Sequence, residues 1–361
     1  MKKLTALLLA LVMVCSLATT AFAADFNNEE GQKDYTDIMD KETSFTKKYD
    51  VLSGTAPDEA FKFTVAFESF VNQDGDAANT TTYPTVTIGD ATFTEDMLAG
   101  GDYSEDAAVS ITNIDNCALG VYTYKITETD NGIAGVNYVA DPVYLNVTIL
   151  RDEGNGKHYV AAIHYETVDG AKTGETTNTY EAGILEVTKK TTGNMADLTK
   201  KFPISILFKP EAGDSFKEVM TVQITNDSVT TNRTYTYSET DRGDVIVTFE
   251  LADAEAAYFY NIPLGTTYTV QETALYGYTQ VSADGETVEE TKITDNGAEV
   301  VSRTVSGVFD ESNGQDSVEF KNELKSNVDT GVALDSAPYI LMLVVAMAGV
   351  AALVSKKRYE A

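Results

Sequence analysis

Gly120-Val121-Tyr122-Thr123-Tyr124-Lys125-Ile126-Thr127-Glu128 alternates with period two, so Tyr122, Tyr124, Ile126 and Glu128 share one face of a strand. A carboxylate in phase with two tyrosines and an isoleucine is directed at a core. The pattern recurs downstream, where Tyr268, Val270 and Glu272 share a face. Working outward, Phe61, Phe63, Val65 and Phe67 read as one strand face, and Phe202, Ile204, Ile206 and Phe208 repeat it 141 residues later. Val143, Leu145, Val147 and Ile149 form a further strand, with Tyr144 and Asn146 on its opposite face. Outside two apolar terminal segments there is no long helical period.

Short alternating strands separated by Gly, Asn and Asp predict an all-β chain of antiparallel, immunoglobulin-like β-sandwiches. The chain repeats itself at domain scale. Lys47, Glu128 and Asn178 are spaced by 81 and 50 residues, and Lys189, Glu272 and Asn322 by 83 and 50. Lys189 alternates with Leu185 and Val187, so it points inward while Lys190 points out. Phe45 selects Lys47 over Lys48 in the same way, and Val318 and Phe320 bring Asn322 inward. Asn178 follows Glu175 and Thr176 and has no apolar residue before it to set its phase.

These three residue types, buried together, are the parts needed to join two side chains by an amide. Burial raises a glutamate pKa and lowers a lysine pKa, which makes the neutral amine accessible. A neutral amine is a nucleophile. A protonated carboxyl can polarise the asparagine carbonyl and shuttle protons as ammonia leaves. Each domain would react once, on itself, joining its first strand to its last. In isolation such residues are ordinary: a snorkelling lysine, a half-exposed glutamate, an asparagine in a turn. The repetition at matching spacing and strand phase favours the chemical reading.

The ends are patterned too. Residues 1–23 have a basic start (Lys2, Lys3), an apolar run and Ala21-Phe22-Ala23, a secretory signal peptide cut before Ala24. Near the other end Thr330-Gly331 precedes an apolar run from Tyr339 to Val354 and Lys356-Lys357-Arg358. Sixteen apolar residues make a helix of about 24 Å, short of a hydrocarbon core. The order Thr-Gly, marginal transmembrane stretch and basic tail reads as a sortase sorting signal, LPXTG-like, with Asn327 and Val328 in place of Leu and Pro. The chain carries 26 basic and 56 acidic residues, a net of −30. The two end segments hold five of the basic residues and two of the acidic ones, which leaves 21 against 54, a net of −33, for residues 24–330. That surface repels nucleic acid and anionic lipid. Cys117 is the only cysteine of that stretch, so no intrachain disulfide is available to it.

Leu185-Glu186-Val187-Thr188-Lys189-Lys190, Val270-Gln271-Glu272 and Phe320-Lys321-Asn322 resemble the isopeptide-forming domains of Gram-positive, sortase-assembled major pilins of the streptococcal T-antigen type. Phe45-Thr46-Lys47, the strand Gly120 to Glu128 and Asn178 resemble the first such domain. The resemblance implies two tandem immunoglobulin-like (Cna-B-type) sandwiches: residues 24–182 and 183–325, after the signal peptide at 1–23 and before the sorting signal at 326–361. It implies Lys47–Asn178 and Lys189–Asn322 cross-links promoted by Glu128 and Glu272, and sortase cleavage between Thr330 and Gly331. Lys172, after Gly170-Ala171, resembles the acceptor lysine of that family. Val328-Asp329-Thr330-Gly331 stands where such pilins carry a Val-Pro-Thr-Gly type signal, with Asp329 the departure.

The expected function is therefore a structural pilus subunit, secreted and anchored to a Gram-positive cell wall. Its partners would be sortase, neighbouring copies of itself, and minor pilins or host-surface ligands. The alternative is an adhesin attached singly to the wall. A polysaccharide-active enzyme would need a carboxylate pair in a cleft, and no pair is singled out. No cofactor is implied. His158 and His164 read as in phase on one strand, six residues apart and distant from Cys117, and suggest no metal site. The acidic stretch Asn72 to Asp76 reads as a solvated turn rather than a calcium loop.

Overall fold

The computed structural model describes residues 43–324 apart from 95–96, 218–219, 227–228, 236–242, 274, 276, 296–297 and 311–313. The signal peptide, the segment 24–42, Thr330, Gly331 and the apolar run after them lie outside the described residues. Within them the chain is all-β, and no helix is long and apolar enough to cross a membrane.

Four large sheets form two sandwiches. In the first, one sheet runs in the spatial order Val136–Asn137, Glu175–Tyr180, Thr43–Val51, Asp102–Thr112, Thr85–Ile88. Its partner sheet runs Lys172–Thr173, His158–Glu166, Val143–Arg151, Gly120–Glu128, Phe63–Asn72. Phe45 and Val109 of one sheet and Tyr122, Tyr124, Leu145 and Val147 of the other meet in a common core. In the second, one sheet runs Val229–Tyr235, Met220–Asn226, Ala256–Pro263, Ala182–Thr192, Gln315–Leu324, Tyr278–Asp284, and the other Val245–Leu251, Phe202–Lys209, Thr267–Glu272, Ala298–Val308, Thr287–Asp295. Leu185, Val187, Val318 and Phe320 face Ile204, Ile206, Phe208 and Val270 across this second core. Each such side chain, taken fully from water, contributes about 1.5–3 kcal/mol.

Most strand pairs are antiparallel, and two exceptions position the site. Thr43–Val51 runs parallel to Glu175–Tyr180, and Ala182–Thr192 runs parallel to Gln315–Leu324. Each lysine strand therefore lies beside its asparagine strand. The register is the same in both: Asn178 stands opposite Tyr49 and Asn322 opposite Thr191, two residues beyond Lys47 and Lys189 respectively. The glutamates close their strands on the facing sheets, Glu128 opposite Phe63 and Glu272 opposite Ile204. Gly120, with φ of 149°, begins the Glu128 strand; a Cβ there would lie 2.1 Å from the Val71 carbonyl oxygen, so only glycine lets the strands approach.

Two sequence readings are corrected. Phe61 does not share a strand with Phe63, Val65 and Phe67: it belongs to the short ribbon Glu59–Phe61, and a register shift between Phe67 and Ser69 hands the core position on to Phe70. His158 and His164 are not in phase. Val160 opposes Ile149 and Ile163 opposes Val147, so an extra residue at Ala161 reverses the alternation between the histidines. His164 joins Glu166 and Asn146 on the outer face, and His158 meets the Ile114 carbonyl. Between Asn72 and Asp76 the Asn72 side chain accepts the N–H groups of Asp74 and Asp76, the geometry of a closed turn.

The sandwiches follow each other with Glu181 alone between strands. Side chains and loops bind across the join. Asn261 accepts the Thr55 N–H at 2.8 Å and donates to its carbonyl at 2.9 Å. Glu59, 3% exposed, accepts from Lys217 and Asn131, both at 2.5 Å.

Candidate functional site

Each sandwich buries one lysine, one glutamate and one asparagine against each other. In the first, Lys47 and Asn178 are fully buried, and the Glu128 side chain is 3% exposed. Lys47 Nζ lies 2.7 Å from Glu128 Oε2, and Asn178 Nδ2 donates to Glu128 Oε1. The Lys47 amine also reaches Thr176 Oγ1 at 3.4 Å and sits 4.9 Å from the centre of the Phe61 ring. Asn178 Oδ1 accepts the Val139 main-chain N–H at 3.0 Å, which fixes the orientation of the amide. Asn178 is brought inward in phase with Tyr180, which follows it and is itself buried.

The second site has the same parts with a looser amine. Lys189 Nζ lies 3.4 Å from Glu272 Oε2, at ion-pair distance, and donates instead to the carbonyls of Lys190 at 2.9 Å and Phe320 at 3.3 Å. It stands 4.2 Å from the Phe202 ring. Asn322 Nδ2 donates to Glu272 Oε1 at 2.5 Å. Asn322 Oδ1 is buried without a hydrogen-bond donor among the described residues.

Taking these charges from water costs several kcal/mol per ion, which attraction within the pair offsets only in part. Burial accordingly pushes the lysines, Lys47 and Lys189, below the ordinary ammonium range, against the pull of their glutamates. Burial likewise raises the carboxyl groups of Glu128 and Glu272. Both shifts favour transfer of a proton from amine to carboxyl, which leaves a nucleophilic nitrogen that shares its carboxyl partner with the asparagine amide. The carboxyl meets the amide nitrogen rather than its carbonyl oxygen, which corrects the sequence expectation that the glutamate polarises the carbonyl. This placement suits delivery of a proton to a departing ammonia. Four participants were not read from the sequence as site residues. Phe61 and Phe202 differ by the 141-residue offset already visible in the apolar pattern. Thr176 and the Val139 N–H carried no signal there.

Lys172 is exposed on Lys172–Thr173, just past the turn closed by Thr167 and Gly170. Lys48, the neighbour rejected on phase, pairs with Glu175 at the surface. Among the described residues no cluster of three or more His, Cys, Asp or Glu is arranged to hold a metal ion.

Comparison with known proteins agrees with this architecture. A curated protein named pilin, from Streptococcus pyogenes serotype M1, is 27% identical over 356 residues, 96% of this chain and 98% of that one. This chain is similar to a streptococcal pilin from end to end. The crystal structure of the major pilin from Streptococcus pyogenes matches the fold with a TM-score of 0.50 at 22% identity, covering 78% of this chain and 99% of that one. Residues 183–324 match a family described as a domain of unknown function, DUF7601.

Proposed function

We propose that the chain is a pilus subunit of a Gram-positive cell surface, built from two sandwich domains at about residues 24–182 and 183–325. Each domain is stapled by its own isopeptide bond, Lys47–Asn178 and Lys189–Asn322, with Glu128 and Glu272 as proton carriers. The observation that carries this reading is the shared geometry of the two triads: parallel lysine and asparagine strands in one register, with a buried carboxyl supplied from the facing sheet. Similarity to a pilin along nearly the whole chain supports the assignment to a pilus. Polymerisation would proceed by sortase cleavage after Thr330 and transfer to Lys172 of the next copy, leaving the polymer attached to the wall.

In the reaction, the amine of the lysine attacks the asparagine Cγ and a C–N bond forms. The carboxyl group gives its proton to Nδ2, the Cγ–Nδ2 bond breaks, and ammonia leaves. The carboxyl then recovers a proton from the former amine. Holding the groups in contact for the lifetime of the fold supplies the rate. The test is the intact mass of a 24–330 fragment: two bonds lower it by about 34 Da, a covalent change that the unmodified sequence omits. Glu272→Ala should retain about half of that deficit, corrected for the substitution. A wild-type fragment at its full sequence mass would remove the isopeptide reading. For polymerisation, wall extracts should give a high-mass ladder that Lys172→Ala abolishes; a single wall-linked species would favour the lone adhesin.

A further inference from the structure

The two triads differ at the oxygen on which negative charge develops. Attack on the asparagine Cγ turns its Oδ1 into an oxyanion, and a fixed N–H donor at that atom lowers the barrier. In the first domain the donor is present: the Val139 main-chain N–H reaches Asn178 Oδ1 at 3.0 Å. Val139 lies between the short strand Val136–Asn137 and the core strand Val143–Arg151, so the sheets on both sides hold its peptide group in place. In the second domain Asn322 Oδ1 is buried and has no donor among the described residues. The amines differ in the same direction: Lys47 Nζ is 2.7 Å from its glutamate, whereas Lys189 Nζ is 3.4 Å away and donates to two main-chain carbonyls.

Resting on the isopeptide reading above, we propose that the Val139 N–H is a catalytic oxyanion donor specific to the first domain, and that the Lys47–Asn178 bond consequently forms well before Lys189–Asn322. The donor binds the tetrahedral adduct after the Lys47 nitrogen has bonded to Cγ and while Nδ2 is still attached. It releases the oxygen as the carbonyl reforms and ammonia departs; its own proton is not transferred. Removing one such donor in other enzymes slows the chemical step by about 10²–10³.

The test refolds denatured, unreacted 24–330 protein and quenches aliquots in acid. The two cross-linked peptides are then counted by mass spectrometry after digestion. The expected result is accumulation of the Lys47–Asn178 peptide at least about tenfold faster than the Lys189–Asn322 peptide, a conservative fraction of the effect of one donor. Val139→Pro removes the N–H and should slow only the first bond, by about 10². Replacing the 138–139 peptide by an ester deletes the donor without the proline ring, and serves if Val139→Pro fails to fold. Both bonds forming at equal rates, or an ester that reacts as fast as wild type, would overturn the role of Val139 and leave the isopeptide reading standing. No cross-linked peptide from either domain would overturn both.

Discussion

If the Lys189–Asn322 bond forms as proposed, Asn322→Ala removes it and leaves Lys189 and Glu272 as a pair. Lys189 and Asn322 bracket about 130 residues, and a cross-link closing a loop of that length removes chain entropy worth about 5 kcal/mol from the unfolded state. The Lys189–Glu272 pair at 3.4 Å survives, so no buried charge is orphaned and the larger penalty of a broken pair does not enter. For a domain of this size, a loss of about 5 kcal/mol lowers Tm by about 15 °C. Differential scanning calorimetry of the 24–330 fragment, with the intact mass confirming one remaining bond, measures it. The second domain should melt about 15 °C earlier, while the first keeps its transition. A shift under about 3 °C in a protein shown to lack the bond would refute the argument that the cross-link acts through the unfolded chain.

Further expectations concern load, pH and the join between domains. With the proposed bonds in place, force applied between Lys172 and the C-terminal end follows the chain from 172 to Lys189 and then crosses to Asn322. In single-molecule pulling, Asn322→Ala should therefore release up to about 450 Å of extra length from the 132 residues between them, while Asn178→Ala releases none. On pH, burial holds Glu272 above its ordinary value of 4.5, so its stabilising contribution is complete below that pH and is lost as pH rises through the raised value. Lys189, held below 10.5, contributes in full above that value and loses its contribution as pH falls through the lowered one. Compared with Glu272→Gln/Asn322→Ala, the uncross-linked Asn322→Ala variant should gain Tm between pH 7.5 and 4.5; a flat difference would deny the raised carboxyl. At the join, Lys217→Ala leaves the buried Glu59 with Asn131 alone and should cost about 2 kcal/mol, less than a fully enclosed pair because Lys217 is partly exposed. Gly54→Ala should loosen the same join, since Gly54 has φ of +76° and a Cβ there would lie 2.3 Å from Asn261 Oδ1. Broadening of the small-angle scattering distance distribution would register both.

Period-two alternation was enough to find the strands and to aim five of the six triad residues. The apolar neighbours of Lys47, Lys189, Glu128, Glu272 and Asn322 declare which face is buried, and a strand side chain has only two faces to choose from. Asn178 escaped that logic because its strand is polar up to the asparagine itself, and Tyr180, the residue that sets its phase, comes afterwards. The histidines were misplaced for a related reason: alternation counted along one strand cannot reveal an extra residue that only pairing with the neighbouring strand exposes. The sequence alone thus determined the all-β fold class, the duplicated triad and the inward direction of most of its members. Only the tertiary structure decided the parallel pairing of lysine and asparagine strands, the meeting of carboxyl with amide nitrogen, and the Val139 donor on one asparagine but not the other. Those are contacts between segments dozens of residues apart, and a main-chain N–H is the same in every residue but proline. Its meaning comes entirely from where the fold points it.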